Sequence, residues 1–455
     1  MKCLTIKNIA YATGGIICNE QFDQGREIGS VVIDSRRVTD NCLFIAIKGE
    51  RTDGHNFVNQ AFEMGASVVL VERKPENINN HPYIIVKSTL EALRRLAEYY
   101  RSVLNVKVIG ITGSVGKTST KEFIASVLAQ KYKILKTEGN FNNEIGLPLT
   151  VFNIREEHEA AVLEMGISNF GEMTRLSKIA KPDICVITNI GLCHLENLGT
   201  RDGILKAKTE IFKYASPDYN TVLNGDDDKL SSIIPRNEND IYFYGLDKKN
   251  RIYAEDIKLL GIEGSICRIV TPKGSIEVAI SIPGKHMIYN AMAAAAVGQL
   301  MGLSLSEIKS GIEKLHTVGG RLNIINTGRI TIIDDCYNAN PVSAKSSVDV
   351  LENGAGRKVA ILGDMFELGP KEAELHYEVG RYLAKKDVQA AVCVGTLSKN
   401  TYEGIKAGCF AGSAYYFENI EGFLSNKEYI IENGDTVLVK ASHSMHFENI
   451  VNALK

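Results

Sequence analysis

The stretch VIGITGSVGKTSTKEF, residues 108–123, passes from a β-branched apolar run through three glycines to a Lys-Thr pair. The run from Val106 to Thr112 has the composition of a buried strand. Beyond the glycines, Phe123, Ile124, Val127 and Leu128 recur at helical spacing. Strand, glycine loop and helix in that order put the free N–H groups of a helix start at the carboxyl end of a strand, where an anion binds. The common phosphate loop has a glycine five positions before the one preceding the lysine; here that place is Ile111, and the glycines are Gly110, Gly113 and Gly116. The chemical needs are still met. Gly113 and Gly116 permit close backbone approach, Lys117 can reach the β and γ phosphates, and Thr118 or Ser119 can ligate magnesium. Gly113, Ser114, Val115, Gly116, Lys117, Thr118 and Ser119 are the expected nucleotide cradle. A glycine turn with a surface lysine is the bland reading, and the strand–helix context disfavours it.

Outward from this loop the alternation continues. AAVLEMG (160–166), ICVITNI (184–190) and TVLN (221–224) read as further strands, and a second series follows residue 320 in RITIIDDCYNANP, RKVAILGDM, QAAVCVG and DTVLVKAS. Such alternation predicts parallel α/β sheets. The first 100 residues differ, with short strands and one helix around HNFVNQAFEMGA. Three domains are expected, over 1–100, 101–319 and 320–455. The apolar runs end in polar residues: Thr112, Glu164, Thr188 with Asn189, Asp334 with Asp335, Asp364, and Lys440. Ligands of open α/β sheets bind outside the carboxyl ends of the strands, so a cleft between two such edges is the expected site.

Composition bounds the partners. In 455 residues, Lys+Arg 52 nearly balances Asp+Glu 54, leaving no field for nucleic acid or an anionic membrane. The stretch MKCLTIKNIAYATGG has no long apolar core, and no run is long enough to span a bilayer. Nine cysteines without CxxC pairing read as reduced thiols, and with them a cytoplasmic monomer is expected.

Three further motifs bear chemistry. In LEMGISNFGEM, Glu164 at a strand end could hold a metal near the phosphates, which would offset the cost of burying a carboxylate. TNIGLCHLENLGT carries His194 and Glu196 after a strand, although a lone histidine is more often structural. DGILKAKTEIF is a basic helix with Lys206 and Lys208, and composition alone makes it a solvated face.

TGSVGKTST, EGNFNNEIGLPLT, LEMG, TNIGLCHLE, KAKTEIF, PGKHMIYNAMAAAAVG, GGRL, IIDDCYNANP and LGDMFELG together resemble the Mur ligases of peptidoglycan synthesis, in order over nearly the whole chain. That family carries a phosphate loop of this shortened form. YNANP, LGDMFELG and the N-terminal DSRRV segment resemble its branch that adds D-alanyl-D-alanine to UDP-N-acetylmuramoyl-tripeptide. The resemblance implies a UDP-sugar-binding first domain, a central ATPase domain and a Rossmann-like third domain.

It also implies roles for residues. Lys117 would bind the β and γ phosphates, with Thr118 and Glu164 on magnesium. His194 would sit at a second magnesium, held also by a carbamate on Lys208; Lys206 stays a solvated charge. Asn140 and Asn143 would lie near the acyl phosphate or nucleotide. Asn290 would contact adenine, Arg321 the γ phosphate and Asp335 the ribose. Ser35 and Arg36 match the uridine-diphosphate site, and Tyr337, Asn338 and Asn340 would face the peptides. The implied chemistry is ATP-driven amide formation through an acyl phosphate. The chain departs from the family in VKASHSMHFE, where Ala441 stands for a glycine and His443 for an arginine. Two rivals fit less well: a folylpolyglutamate synthetase, which DSRRV and YNANP oppose, and a switch GTPase, whose NKxD and DxxG motifs are missing.

Overall fold

The computed structural model describes residues 1–19, 23–50, 52–76, 80–234, 241–317 and 320–455. Gly319 of GGRL, Arg51 of the N-terminal motif and the expected division at 319 lie outside the described residues. Three sheets follow one another along the chain, each covered by helices, giving three α/β domains.

The first sheet has the order Ile16–Cys18, Tyr83–Ile85, Ala66–Val71, Cys42–Ile45, Ser30–Val32, parallel except for its first pair. The expectation of one helix here falls short. Besides Val58–Glu63, there are helices Ile6–Thr13 and Thr89–Ser102. Thr5 caps the first of these, and Ile6, Ile9 and Ala10 turn inward at helical spacing, a period too short-lived to stand out in sequence. The helix Thr89–Ser102 runs through the expected division at residue 100 and ties the first domain to the second. Tyr100 Oη donates to the Ile154 carbonyl at 2.7 Å, and the buried Arg101 guanidinium donates to the carbonyls of Ala180, Leu104 and Val106.

In the central sheet the strands Ile134–Lys136, Ala160–Glu164, Lys107–Thr112, Ile184–Ile187, Asn220–Asn224, Ile241–Gly245 and Ile252–Leu259 lie side by side and parallel. Sequence reasoning missed the edge beyond them. Ser265–Thr271 and Gly274–Ile280 continue the sheet antiparallel, and their residues alternate between buried and exposed because one face meets water. Helix His286–Leu300, with its AMAAAAV run, is buried nearly all round, packed between this sheet and helix Lys117–Leu128. Small side chains allow that close approach and hold the helix after the glycine loop in place.

The third sheet has the order Asn323–Asn326, Thr331–Asp334, Thr436–Lys440, Lys358–Gly363, Ala390–Val394, Ser413–Phe417, and only its first strand is antiparallel. The carboxyl ends of strands Thr331–Asp334 and Thr436–Lys440 face the glycine loop across a cleft, because Asp335 and Lys440 line the same cavity as residues 114–119. Among the described residues no helix is long and apolar enough to cross a membrane.

Candidate active site

The glycine loop takes its shape from the neighbouring strand end. Thr188 Oγ1 and Asn189 Nδ2 donate to the Val115 carbonyl at 2.6 and 2.9 Å, and Asn189 Oδ1 accepts the Val115 N–H at 3.0 Å. The Ser114 N–H is likewise spent on the Asn189 carbonyl. Ser114 and Val115 therefore line the cavity without free N–H groups. An anion is left the N–H groups from Gly116, the N-cap, to Ser119, which have no intrahelical partner at a helix start. Gly113 is at φ +153°, and a Cβ there would lie 1.9 Å from Thr188 Oγ1, so no side chain fits. Lys117 folds back over the loop, its Nζ donating to the Gly113 carbonyl at 2.9 Å.

Beside the loop, Glu164 ends its strand almost fully buried. Its Oε2 accepts from Thr118 Oγ1 at 2.9 Å and its Oε1 from Asn142 Nδ2 at 2.8 Å. Asn142 was not anticipated, although it stands next to Asn143 in the NNEIG motif. Asn143 itself is exposed on the cavity wall, and its Oδ1 accepts the N–H groups of Ile145 and Gly146, so it shapes the loop. Asn140 is exposed on the same wall.

Lys208 is 1% exposed, and its ammonium makes neither hydrogen bond nor ion pair among the described residues. Burial, with repulsion from Lys117, pushes its pKa down to about 8, a pull that nearby Cys193 does not offset. A buried unpaired ammonium is costly, so the solvated-face reading fails for this lysine. Lys206, two residues earlier and so on the other face of the helix, is exposed beside Phe170.

Do these residues fit magnesium? Among the described residues no three His, Cys, Asp or Glu side chains cluster as a ready cage. The buried Thr118–Glu164 pair offers hard oxygens beside a phosphate loop, the usual magnesium arrangement of one or two protein oxygens with phosphates and water. The amine of Lys208, with its lowered pKa, can add carbon dioxide and release a proton, turning an uncompensated cation into a carboxylate-like ligand. His194 Nδ1 is buried and has no aligned hydrogen bond. Glu367 Oε2 lies 2.8 Å from it, close enough for ionic attraction but without hydrogen-bond alignment, and that contact holds the Glu367 carboxyl below its usual range. The donor set fits.

Two adjoining cavities lie between the domains. One, of about 250 Å³, is lined by the glycine loop, Asn224, Tyr244, Tyr289 and Asn290 on one side and by Arg321, Asp335, Asn338, Asn340 and Lys440 on the other. Asn290 Oδ1 accepts from Thr120 Oγ1 at 2.9 Å, anchoring it to the loop's own helix. Asp335 is bound on three sides, by Lys440 Nζ and Ser347 Oγ, each at 2.5 Å, and by the Leu322 N–H at 3.2 Å. Lys440 was visible in sequence only as a polar strand end. Asn340 caps helix Pro341–Glu352 in a reciprocal capping box with Ser343.

The other cavity, of about 680 Å³, is walled by all three domains: Leu90 and Arg94 from the first, Lys117, Glu164 and His194 from the second, and Arg321, Tyr337, Glu367 and His443 from the third. Tyr337 is flanked by the Arg321 guanidinium, 4.2 Å from its ring centre, and by the His443 ring at 5.4 Å. Arg94 joins Glu144 at 3.0 Å, which Arg175 also grips, so charges of both signs line the end toward the first domain. Ser35 and Arg36 stand apart from both cavities, in the first domain. Ser35 is buried, and Arg36 is exposed and paired with Asp34 at 2.7 Å.

The arrangement is a phosphate site facing a second, larger chamber, with cations of two domains between them. The Mur ligase catalytic domain matches residues 27–101, the Mur ligase middle domain residues 111–298, and the Mur ligase glutamate ligase domain residues 320–443. The UDP-N-acetylmuramoyl-tripeptide--D-alanyl-D-alanine ligase of Bacillus subtilis is 40% identical over 99% of this chain and 98% of its own. The crystal structure of MurF from Acinetobacter baumannii superposes with TM-score 0.90 at 33% identity, covering 99% of this chain and 98% of that one. MurF from Thermotoga maritima, solved in complex with ADP, gives TM-score 0.83 at 30% identity over 93% and 96% of the two chains. On these matches, spanning all three domains, the chain belongs to the Mur ligase family.

Proposed function

We propose that this chain joins D-alanyl-D-alanine to UDP-N-acetylmuramoyl-tripeptide with ATP, in the cytoplasm, through an acyl phosphate. The observation that carries the reading is the pair of adjoining cavities, with the phosphate loop in one, all three domains around the other, and Lys117 and Arg321 on the walls of both. Full-length similarity to the Bacillus subtilis ligase supports the choice of substrates.

A carboxylate resists attack by an amine because its charge is delocalised and its oxygen leaves poorly. Transfer of the γ-phosphoryl group to it makes a leaving group. Lys117, the N–H groups at Gly116–Ser119 and Arg321 supply the positive field in which that transfer occurs. Asn290 and Asp335 line the cavity for the rest of the nucleotide, and Asp335 is held rigid by Lys440 and Ser347. Magnesium held by Thr118, Glu164, His194 and a carbamate on Lys208 would neutralise phosphate charge. The amine of the dipeptide then attacks the acyl carbon, phosphate departs and the proton is lost, with Tyr337, Asn338 and His443 on the wall beside it. Ser35 and Arg36 are assigned to the uridine diphosphate. Walls contributed by three domains exclude water that would hydrolyse the acyl phosphate.

The test is ligation assayed by mass, with ATP, D-alanyl-D-alanine and muramoyl-tripeptides ending in lysine or in diaminopimelate. Product and phosphate should form only when nucleotide and both peptides are present. Phosphate release that ignores both peptides would overturn the reading.

A further inference from the structure

We propose that Glu367 is a positioning residue that latches the C-terminal domain over the reaction centre by holding His194 of the central domain; this rests on the ligase reading above. The two side chains meet across the domain boundary, Glu367 Oε2 lying 2.8 Å from His194 Nδ1. Both backbones are in the left-handed region, His194 at φ +50° and Glu367 at φ +63°. Histidine, like Asn and Asp, visits that region more readily than most residues, whereas glutamate rarely does. At Glu367 the contact with His194 is thus set against local preference.

The surrounding backbone supports the same contact. Gly369, at φ +65°, seats the Glu367 turn on the segment that follows His194, and a Cβ there would lie 3.3 Å from Glu196 Cα. The turn is thus docked through side chain and main chain together. His194 Nδ1 is buried without an aligned hydrogen bond among the described residues, and the carboxylate is the ion-pair partner it has there. Holding one ring nitrogen orients the other, and Nε2, which has no protein partner among the described residues, belongs to the residue that lines the chamber. Closure of the third domain would then orient His194, and opening would release it.

The strength of the contact suits this task. The Glu367 side chain is 63% exposed, so the pair is screened and worth a few-fold in equilibrium rather than many orders. A fully buried pair would not break at each turnover. A solvated surface carboxylate would explain the exposure but not the left-handed backbone of Glu367.

The experiment compares wild type with Glu367→Ala and Glu367→Asn; asparagine tolerates the left-handed backbone and lacks the charge, so a folding defect is separated from loss of the latch. Small-angle scattering with an ATP analogue and muramoyl-tripeptide reads closure. Hydrogen exchange reads residues 195–198, and calorimetry reads nucleotide affinity. Both variants should bind nucleotide like wild type, while the closed-to-open ratio and kcat each fall about fivefold and exchange at 195–198 rises. Adding His194→Ala to Glu367→Ala should open the protein no further than either change alone. Compaction and exchange equal to wild type in both variants would overturn the latch while leaving the ligase intact. If wild type closes and the variants do not, yet no protein ligates, the latch stands and the ligase reading falls.

Discussion

At Lys208 the chain keeps a charge in a nearly fully buried side chain. The folded pKa, about 8, lies below the model-peptide value of 10.5. Below pH 8 both folded and unfolded states hold the proton, and the burial cost, of order 3 kcal/mol, is fully present. Between about 8 and 10.5 the unfolded chain binds more protons, so stability rises with pH and the cost disappears. Lys208→Met should therefore melt higher than wild type at pH 7 in buffer freed of carbon dioxide, with the gap shrinking as pH rises through that window. The same variant should lose nearly all ligation. Lys208→Ala should regain some ligation with a short-chain carboxylate, which supplies the missing oxygens; equal inactivity with and without it would leave the carbamate unsupported. Lys117 differs, because it is only half-buried and its one hydrogen bond goes to the Gly113 carbonyl of its own loop. Lys117→Ala should keep the wild-type melting temperature and lose ligation by about a thousandfold or more, a loss typical of removing a donor to developing charge.

Among elements, the loop from Gly113 to Lys117 is held by a strand that is distant in sequence. Gly113→Ala would force a Cβ onto Thr188 Oγ1, and thermal unfolding should show a loss of about 2 kcal/mol or more together with weakened nucleotide binding. In the first domain, Asp53 caps the turn Gly54–Phe57 by accepting the His55 N–H, and it pairs with Arg73 at 2.9 Å. Arg73 beside it, then the His55 N–H, hold its carboxyl well below the usual range. Its contribution is thus present above pH 4 and is lost as pH falls through the folded pKa. Asp53→Asn should be the less stable protein at pH 7, and the difference should fade in acid denaturation profiles below pH 4. Strands at 107–112, 160–164 and 184–187 were legible because parallel strands buried on both faces are continuous apolar runs. The antiparallel extension at 265–280 was not, since half-buried strands mix polar and apolar residues in a pattern easily taken for loop.

At the level of the whole molecule, the catalytic groups come from separate domains, so Arg321 should matter more to reaction than to binding. Its guanidinium rests on Tyr337 and lines both cavities. Arg321→Ala should lower nucleotide affinity less than tenfold by calorimetry yet cut ligation about a hundredfold by mass; equal losses in both would place Arg321 outside the transition state. What the sequence alone determined were the features written locally: the glycine loop before a helix, the strands ending in Glu164 and Asp334, the three α/β domains, and a motif order that matched one family. Glycine freedom, apolar period and helix-start chemistry act within a few residues, so they survive in one dimension. Tertiary structure alone decided that Asn142 and Thr118 share Glu164, that Asn189 consumes the N–H groups of Ser114 and Val115, that Lys440 pins Asp335, and that Lys208 is buried while Lys206 is not. Each of these depends on which strand end lies against which, over separations from 22 to 105 residues in the hydrogen bonds, or on which face of a helix meets the core. Distance in space sets electrostatic and hydrogen-bond energies, and the sheet order that fixes those distances is a property of the folded chain.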